Sequence, residues 1–164
     1  MRKIAVVFVV LMCGFALLSC GTAPETRPGG EVTQESINLA LGQIYTIYRE
    51  KLDFTGAQEY VVVRGDTLSE ITRRFYGNLT NVGDAGSNNG FYFPVIMMAS
   101  DSHIVDPDFI EPGMRLTIID LRRNLDNPVA RQAIKEALID VSHVYERRGR
   151  TAEQDGLRRL AYSL

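Results

Sequence analysis

Tyr60-Val61-Val62-Val63-Arg64-Gly65-Asp66-Thr67-Leu68 is the stretch that decides the fold. Residues 59–63 are rich in β-branched and aromatic side chains, the composition of a short strand. Arg64-Gly65-Asp66 breaks that run. Thr67 then opens a helix, and Glu70, three residues on, completes the spacing of a capping box. Leu68, Ile71, Thr72 and Phe75 share one face of this helix, and Gly77 ends it.

Downstream, residues 79–90 form a loop containing Gly83, Gly86 and Gly90 with three asparagines. Pro94 suits the first turn of a second helix. Val95, Met98 and Ala99 are expected to point inward on it, with Ile96 or Met97 at the border. Residues 101–113 are irregular, punctuated by Pro107 and Pro112. Residues 114–119 read as a second strand, in which Arg115 and Thr117 alternate with Leu116 and Ile118. The order is strand, helix, helix, strand. The two strands most simply pair antiparallel, with both helices on one face, so the fold class is α+β. Such a module buries little by itself, which gives any flanking helices a role.

Flanking helices are present on both sides. Thr33 can cap a helix to about Lys51, with Ile37, Leu41, Ile44, Tyr48 and Leu52 as its apolar stripe. Asn127 caps and Pro128 starts another, which runs to Arg148 and stops at Gly149. Ile134, Leu138, Val141 and Tyr145 are its stripe. Thr151 and Gln154 repeat the capping-box spacing before a last amphipathic helix carrying Leu157, Leu160, Ala161 and Leu164. The strand-helix module occurs once in the chain.

At the N-terminus, Arg2 and Lys3 precede an apolar run over residues 4–18. That run is short for a membrane span and suits a signal-peptide core. Leu17-Leu18-Ser19-Cys20-Gly21 resembles the lipobox of bacterial lipoproteins. The resemblance implies cleavage before Cys20 and lipidation of its thiol by diacylglycerol, usually with acylation of its amine. Two or three acyl chains anchor firmly where one binds reversibly. Cys13 would leave with the signal, so no disulfide or thiol chemistry is expected. Glycine rather than aspartate at position 21 favours the outer membrane by the same resemblance, facing the periplasm. Residues 21–30 hold prolines, glycines and threonines with few apolar residues and read as a flexible tether.

Residues 59–120 are identified as a member of the lysin-motif, or LysM, family. The resemblance rests on 60–68, Ile71 and Arg74-Phe75-Tyr76-Gly77, and then on Asp106-Pro107-Asp108-Phe109-Ile110-Glu111-Pro112-Gly113-Met114-Arg115-Leu116-Thr117-Ile118. Two departures stand out. An insertion at 78–90 separates the helices, followed by Phe91-Tyr92-Phe93. The end of the second helix, where the family often has asparagine, reads Ala99-Ser100-Asp101-Ser102. With its lipobox and the sequel Asp120-Leu121-Arg122-Arg123-Asn124-Leu125, the chain is also similar to spirochaete-type LysM lipoproteins. The expected organisation is a signal peptide at 1–19, lipidated Cys20 and tether to 32, and a helix and connector at 33–58. The LysM domain follows at 59–120, and a helical extension at 121–164.

The resemblance implies non-catalytic binding of N-acetylglucosamine-containing glycan, chiefly peptidoglycan, in a groove between two loops. One wall is Gly65, Asp66, Thr67 and Leu68. The other is Phe109, Ile110, Glu111, Pro112 and Gly113, with a contribution near Ile96. An acetamido sugar needs backbone partners and a small apolar pocket for each methyl, and Gly- and Pro-rich loops can hold both. Leu68 or Ile110 would meet the methyl. Phe109 has two readings, stacking on a sugar or filling the core. Asp66 also has two, bonding a glycan hydroxyl or fixing the turn through backbone N–H groups. The alternative for the whole site is a structural or protein-interaction module of an envelope complex.

Composition limits the rest. The chain of 164 residues is 45% hydrophobic and 23% charged, too apolar for a disordered polyelectrolyte. Its net charge of −2 argues against a nucleic-acid partner. Removing Arg2 and Lys3 leaves 16 basic against 20 acidic residues, a charge of −4. Two cysteines and two histidines, His103 and His143, make a poor case for a metal site. Asp84, Asn88 and Asn89 lack the ordered ligand series of a calcium loop. No pattern places two carboxylates across a cleft for glycoside hydrolysis. The expectation is therefore no enzyme, no cofactor and no metal. The basic end, Arg147-Arg148, Arg150 and Arg158-Arg159, reads as a solvated helix face, with anionic lipid or wall polymer as its other possible contact. The outer helices are expected to brace the module and to pair with an envelope protein or a second copy.

Overall fold

Strand β1 (Gln58–Val61) pairs antiparallel with β2 (Arg115–Ile118), in a register that sets Gln58 opposite Ile118 and Val61 opposite Arg115. These features come from a computed structural model that describes residues 32–77, 89–100 and 106–164. The signal peptide, Cys20, most of the insertion and His103 lie outside the described residues. Between the strands come helix α2 (Leu68–Tyr76), a 3₁₀ turn (Asn89–Tyr92) and helix α3 (Phe93–Ala99). The β-α-α-β module is thus as expected, flanked by α1 (Gln34–Arg49), α4 (Leu121–Asp126), α5 (Pro128–Arg147) and α6 (Thr151–Ser163).

Local signals account for most element starts. The Thr67 hydroxyl accepts the Glu70 N–H at 3.3 Å and donates to the Glu70 carboxylate at 3.0 Å. Thr33 caps α1, and the Asn127 side chain caps α5 by accepting the Val129 N–H at 2.9 Å. Pro128 follows at the first helical position, where no N–H is needed. The Thr151–Gln154 box does not form. Thr151 is already helical, the preceding cap is Arg150, and Gln154 is buried.

Helix α3 differs from expectation in being buried on every side. All seven residues from Phe93 to Ala99 are inaccessible, Ile96 and Met97 included. It has no solvent face because α2 and β2 cover it on one side and α1 and α5 on the other. Arg49 of α1 caps its C-terminus, donating to the carbonyls of Met98 at 3.0 Å, Ser100 at 2.7 Å, and Ala99. The Ser100 hydroxyl accepts the Thr117 N–H at 2.9 Å, tying the end of α3 to β2. The stripe Ile37, Leu41, Tyr48 and Leu52, joined by Tyr45, faces this same core. What α1 leaves outward is Leu39 and Ile47, 63% and 60% exposed.

Two elements have no counterpart in the sequence reading. Helix α4 is a short turn capped by Asp120, whose carboxylate accepts the Arg123 N–H at 3.1 Å. The 3₁₀ turn lets the buried Asn89 amide donate to the Tyr76 carbonyl at 2.6 Å, closing the last turn of α2. Phe91 of that turn reaches α6 at Gly156. A side chain at Gly156 would have its Cβ 2.1 Å from the Phe91 ring, so this helical glycine serves close packing.

Candidate functional site

At the Val61 end of the ladder the pairing runs one residue further. The Val62 N–H donates to the Met114 carbonyl at 2.9 Å, and the Gly113 N–H donates to the Val62 carbonyl at 2.8 Å. Val62 therefore sets two turns side by side. In the first, Val63-Arg64-Gly65-Asp66, the Asp66 N–H returns to the Val63 carbonyl at 3.1 Å. In the second, Glu111-Pro112-Gly113-Met114, the Met114 N–H returns to the Glu111 carbonyl at 3.1 Å. The third residue of each is glycine at positive φ, +93° for Gly65 and +95° for Gly113. This is the pattern of a type II turn, for which Pro112 at the second position is also favoured. The two glycines are required by the backbone, and nothing lies within 4 Å of where a Cβ would stand on either.

Asp66 fixes the first turn. Its carboxylate accepts the Tyr60 phenol at 2.6 Å and the Val63 N–H at 2.9 Å, and faces Arg74 at 3.4 Å. Only 6% of the side chain is exposed. The Tyr60 phenol first, then the Val63 N–H and Arg74, hold its carboxyl below the usual range. Tyr60 in turn packs edge-on against Phe75, with ring centres 5.4 Å apart, and accepts from Arg74 at 2.7 Å.

Eight of the ten sequence-proposed residues lie in or beside these turns, and their exposure sorts them. Gly65, Thr67, Phe109, Glu111, Pro112 and Gly113 are exposed, and Ile110 is half-buried against the core. Phe109 stands 62% exposed, so it does not fill the core. Leu68 and Ile96 are buried and support the surface from beneath. Val63, expected at the end of the first strand, instead opens the first turn and is exposed there. The flanking helices leave both turns open. A separate cleft of about 240 Å³ lies at the opposite end of the ladder, lined by residues including Gln58, Phe75, Tyr76 and Ile118.

Acid should loosen both the first turn, held by Asp66, and the α1–β1 connector, where Asp53 sits. Hydrogen bonds from Thr55 and from the Arg123 guanidinium push the Asp53 carboxyl down to about 2, and Asp66 is lowered as well. Both are depressed in the folded state. Their contribution is therefore complete above the ordinary aspartate value of about 4 and is lost as pH falls through the folded values. For Asp53 that window runs from about 4 to about 2. Thermal melts across it should fall more steeply for the parent than for a D53N/D66N double variant. Equal slopes would refute the assignment.

The structure thus joins a two-stranded antiparallel sheet and two helices to a pair of fixed, solvent-open turns. Residues 60–118 match the family model of the LysM domain, so the chain carries a LysM domain. Members of that family are non-catalytic binding modules. Comparisons with curated proteins and with solved structures give no match. Among the described residues no three His, Cys, Asp or Glu side chains gather as metal ligands. No described helix is long and apolar enough to cross a membrane.

Proposed function

We propose that this protein binds N-acetylglucosamine-containing glycan, namely peptidoglycan, through the surface formed by the Gly65 and Gly113 turns and Phe109. The LysM match at 60–118, with these turns open to solvent, carries the reading. Fixed backbone groups at the turns meet the acetamido groups, and Ile110 supplies apolar contact for a methyl. Phe109 stacks on a sugar face. Asp66 acts on the shape of the first turn rather than on the ligand. Lipid on Cys20 holds the chain at the bacterial envelope, on the outer membrane facing the periplasm, as in the spirochaete-type lipoproteins it resembles. Membrane and wall attachment on one chain raises the effective concentration of each for the other.

A second reading, a protein-interaction module, draws on one observation, the outward Leu39 and Ile47 on α1. A pull-down separates the two. The chain from residue 21 onward should sediment with purified peptidoglycan. The full chain should partition with membranes, and C20S should be released from them. A folded parent that stays in the supernatant would refute wall binding and move the weight to a protein partner.

A further inference from the structure

The wall that carries Phe109 is tied to Val62 at its far end, through Gly113. It begins at Asp106-Pro107-Asp108, and the side-chain attachments of that beginning lie outside the LysM domain. The Asp106 carboxylate has only 3% of its side chain exposed. It accepts the Gln34 amide of α1 at 2.5 Å and, within its own loop, the Asp108 N–H at 3.0 Å. It also faces the Arg148 guanidinium at 3.3 Å. The Asp106 carbonyl accepts the Phe109 N–H at 3.0 Å. Arg148 reaches Asp108 as well, at 3.0 Å, and Arg150 pairs with both Asp108 and Glu153. Both guanidiniums lie over the Tyr145 ring, 5.4 and 5.1 Å from its centre. Arg148 keeps 13% of its side chain exposed, so its pairing is largely sheltered from solvent. Among the described residues, every hydrogen bond and ion pair that leaves residues 106–110 goes to Gln34, Arg148 or Arg150.

A solvated basic face, as read from sequence, does not describe this. A lone exposed ion pair contributes little, but here one arginine bridges two aspartates and a second joins the network. The hydrogen bonds within residues 106–109 are internal, so this half of the loop is fixed from outside, while Ile110 and Gly113 tie the other half to the domain. We infer that Arg148 and Arg150 are positioning residues for the ligand surface, holding Phe109 in place from the α5–α6 junction. The binding unit is then the LysM domain together with its helical extensions, not residues 60–118 alone. The part of this that concerns glycan rests on the function proposed above.

The test uses the chain from residue 21 onward, which holds every described residue, with R148M/R150M and R148K/R150K variants. Amide hydrogen exchange reads the loop directly. Exchange at Phe109–Gly113 should rise about tenfold in the methionine variant, with α5 amides unchanged. The lysine variant should fall between, since it keeps charge and loses the bridging fork. If R148M/R150M does not fold, D108N with R150M removes the more exposed half of the network and should give the same local rise. Unchanged loop exchange in a folded variant overturns the clamp, whether or not any glycan binds. Titration with an N-acetylglucosamine tetramer reads the consequence. Affinity should fall about tenfold in the methionine variant and recover in part with lysine. A parent that binds with no change in the variants overturns the positioning role. A parent that does not bind overturns the glycan reading and with it that role, while exchange still decides the clamp.

Discussion

Asn124→Ala is expected to lower the unfolding free energy by about 3 kcal/mol and the melting temperature by about 10 °C. Asn124 is wholly buried. Its amide donates to the carbonyls of Asp53 and Asp120, both at 2.9 Å, and its oxygen accepts the Asp53 N–H at 2.8 Å. One side chain thus holds the connector between α1 and β1 against the first turn of α4. Alanine leaves the Asp53 N–H and carbonyl without partners in a site that water does not easily reach, and the penalty falls on each orphaned group. Leucine restores the volume but not the bonds, so it should be no better. Urea denaturation of the soluble chain gives the number. A loss below about 1 kcal/mol would mean that the connector satisfies itself by moving.

Phe109→Ala should reduce retention on peptidoglycan by at least about tenfold while moving the melting temperature by no more than 1–2 °C, roughly the scatter of ordinary surface substitutions. The contrast follows from exposure. At 62% exposed, the ring contributes little to the core but is placed to contribute to an encounter. Ile110→Asp should also lose binding, yet Ile110 packs partly on the core, so its loss mixes stability with recognition. Thr67→Ala removes the α2 cap and costs about 1 kcal/mol. Phe109 therefore gives the cleanest variant. Full retention by folded F109A would remove stacking from the mechanism.

Where a local chemical signal existed, the sequence was readable. Thr67 with Glu70, Pro94, and Asn127-Pro128 each mark a helix start through hydrogen bonds or steric limits set within a few residues. Gly65 and Gly113 likewise mark turns by backbone need. Helix α4 spans six residues, too short for a period to emerge, and its cap, Asp120, sits among ordinary charged neighbours. Thr151 and Gln154 have the right spacing for a cap, but Gln154 is buried in the fold. The site was legible in outline and not in depth. Nothing local says that Ile96 is enclosed, because α3 is covered by α1, α2, α5 and β2 together. The arginine clamp joins residues 42 apart in the chain, a pairing that no spacing rule anticipates.

The contact between Gln34 and Asp106 also bears on mechanics. Gln34 is the first residue of α1, the first described helix, and Asp106 opens the loop that leads to Phe109. Tension applied between the N-terminus and a ligand held at Phe109 would be shared by this hydrogen bond and the neighbouring ion pairs. The β1–β2 ladder, only four residue pairs long, meets the same loop at its other end through Val62 and Gly113. A protein strung between two surfaces that shift against each other would in this way divide the strain between a charged junction near its rim and its small sheet, so that the sheet would not carry it alone.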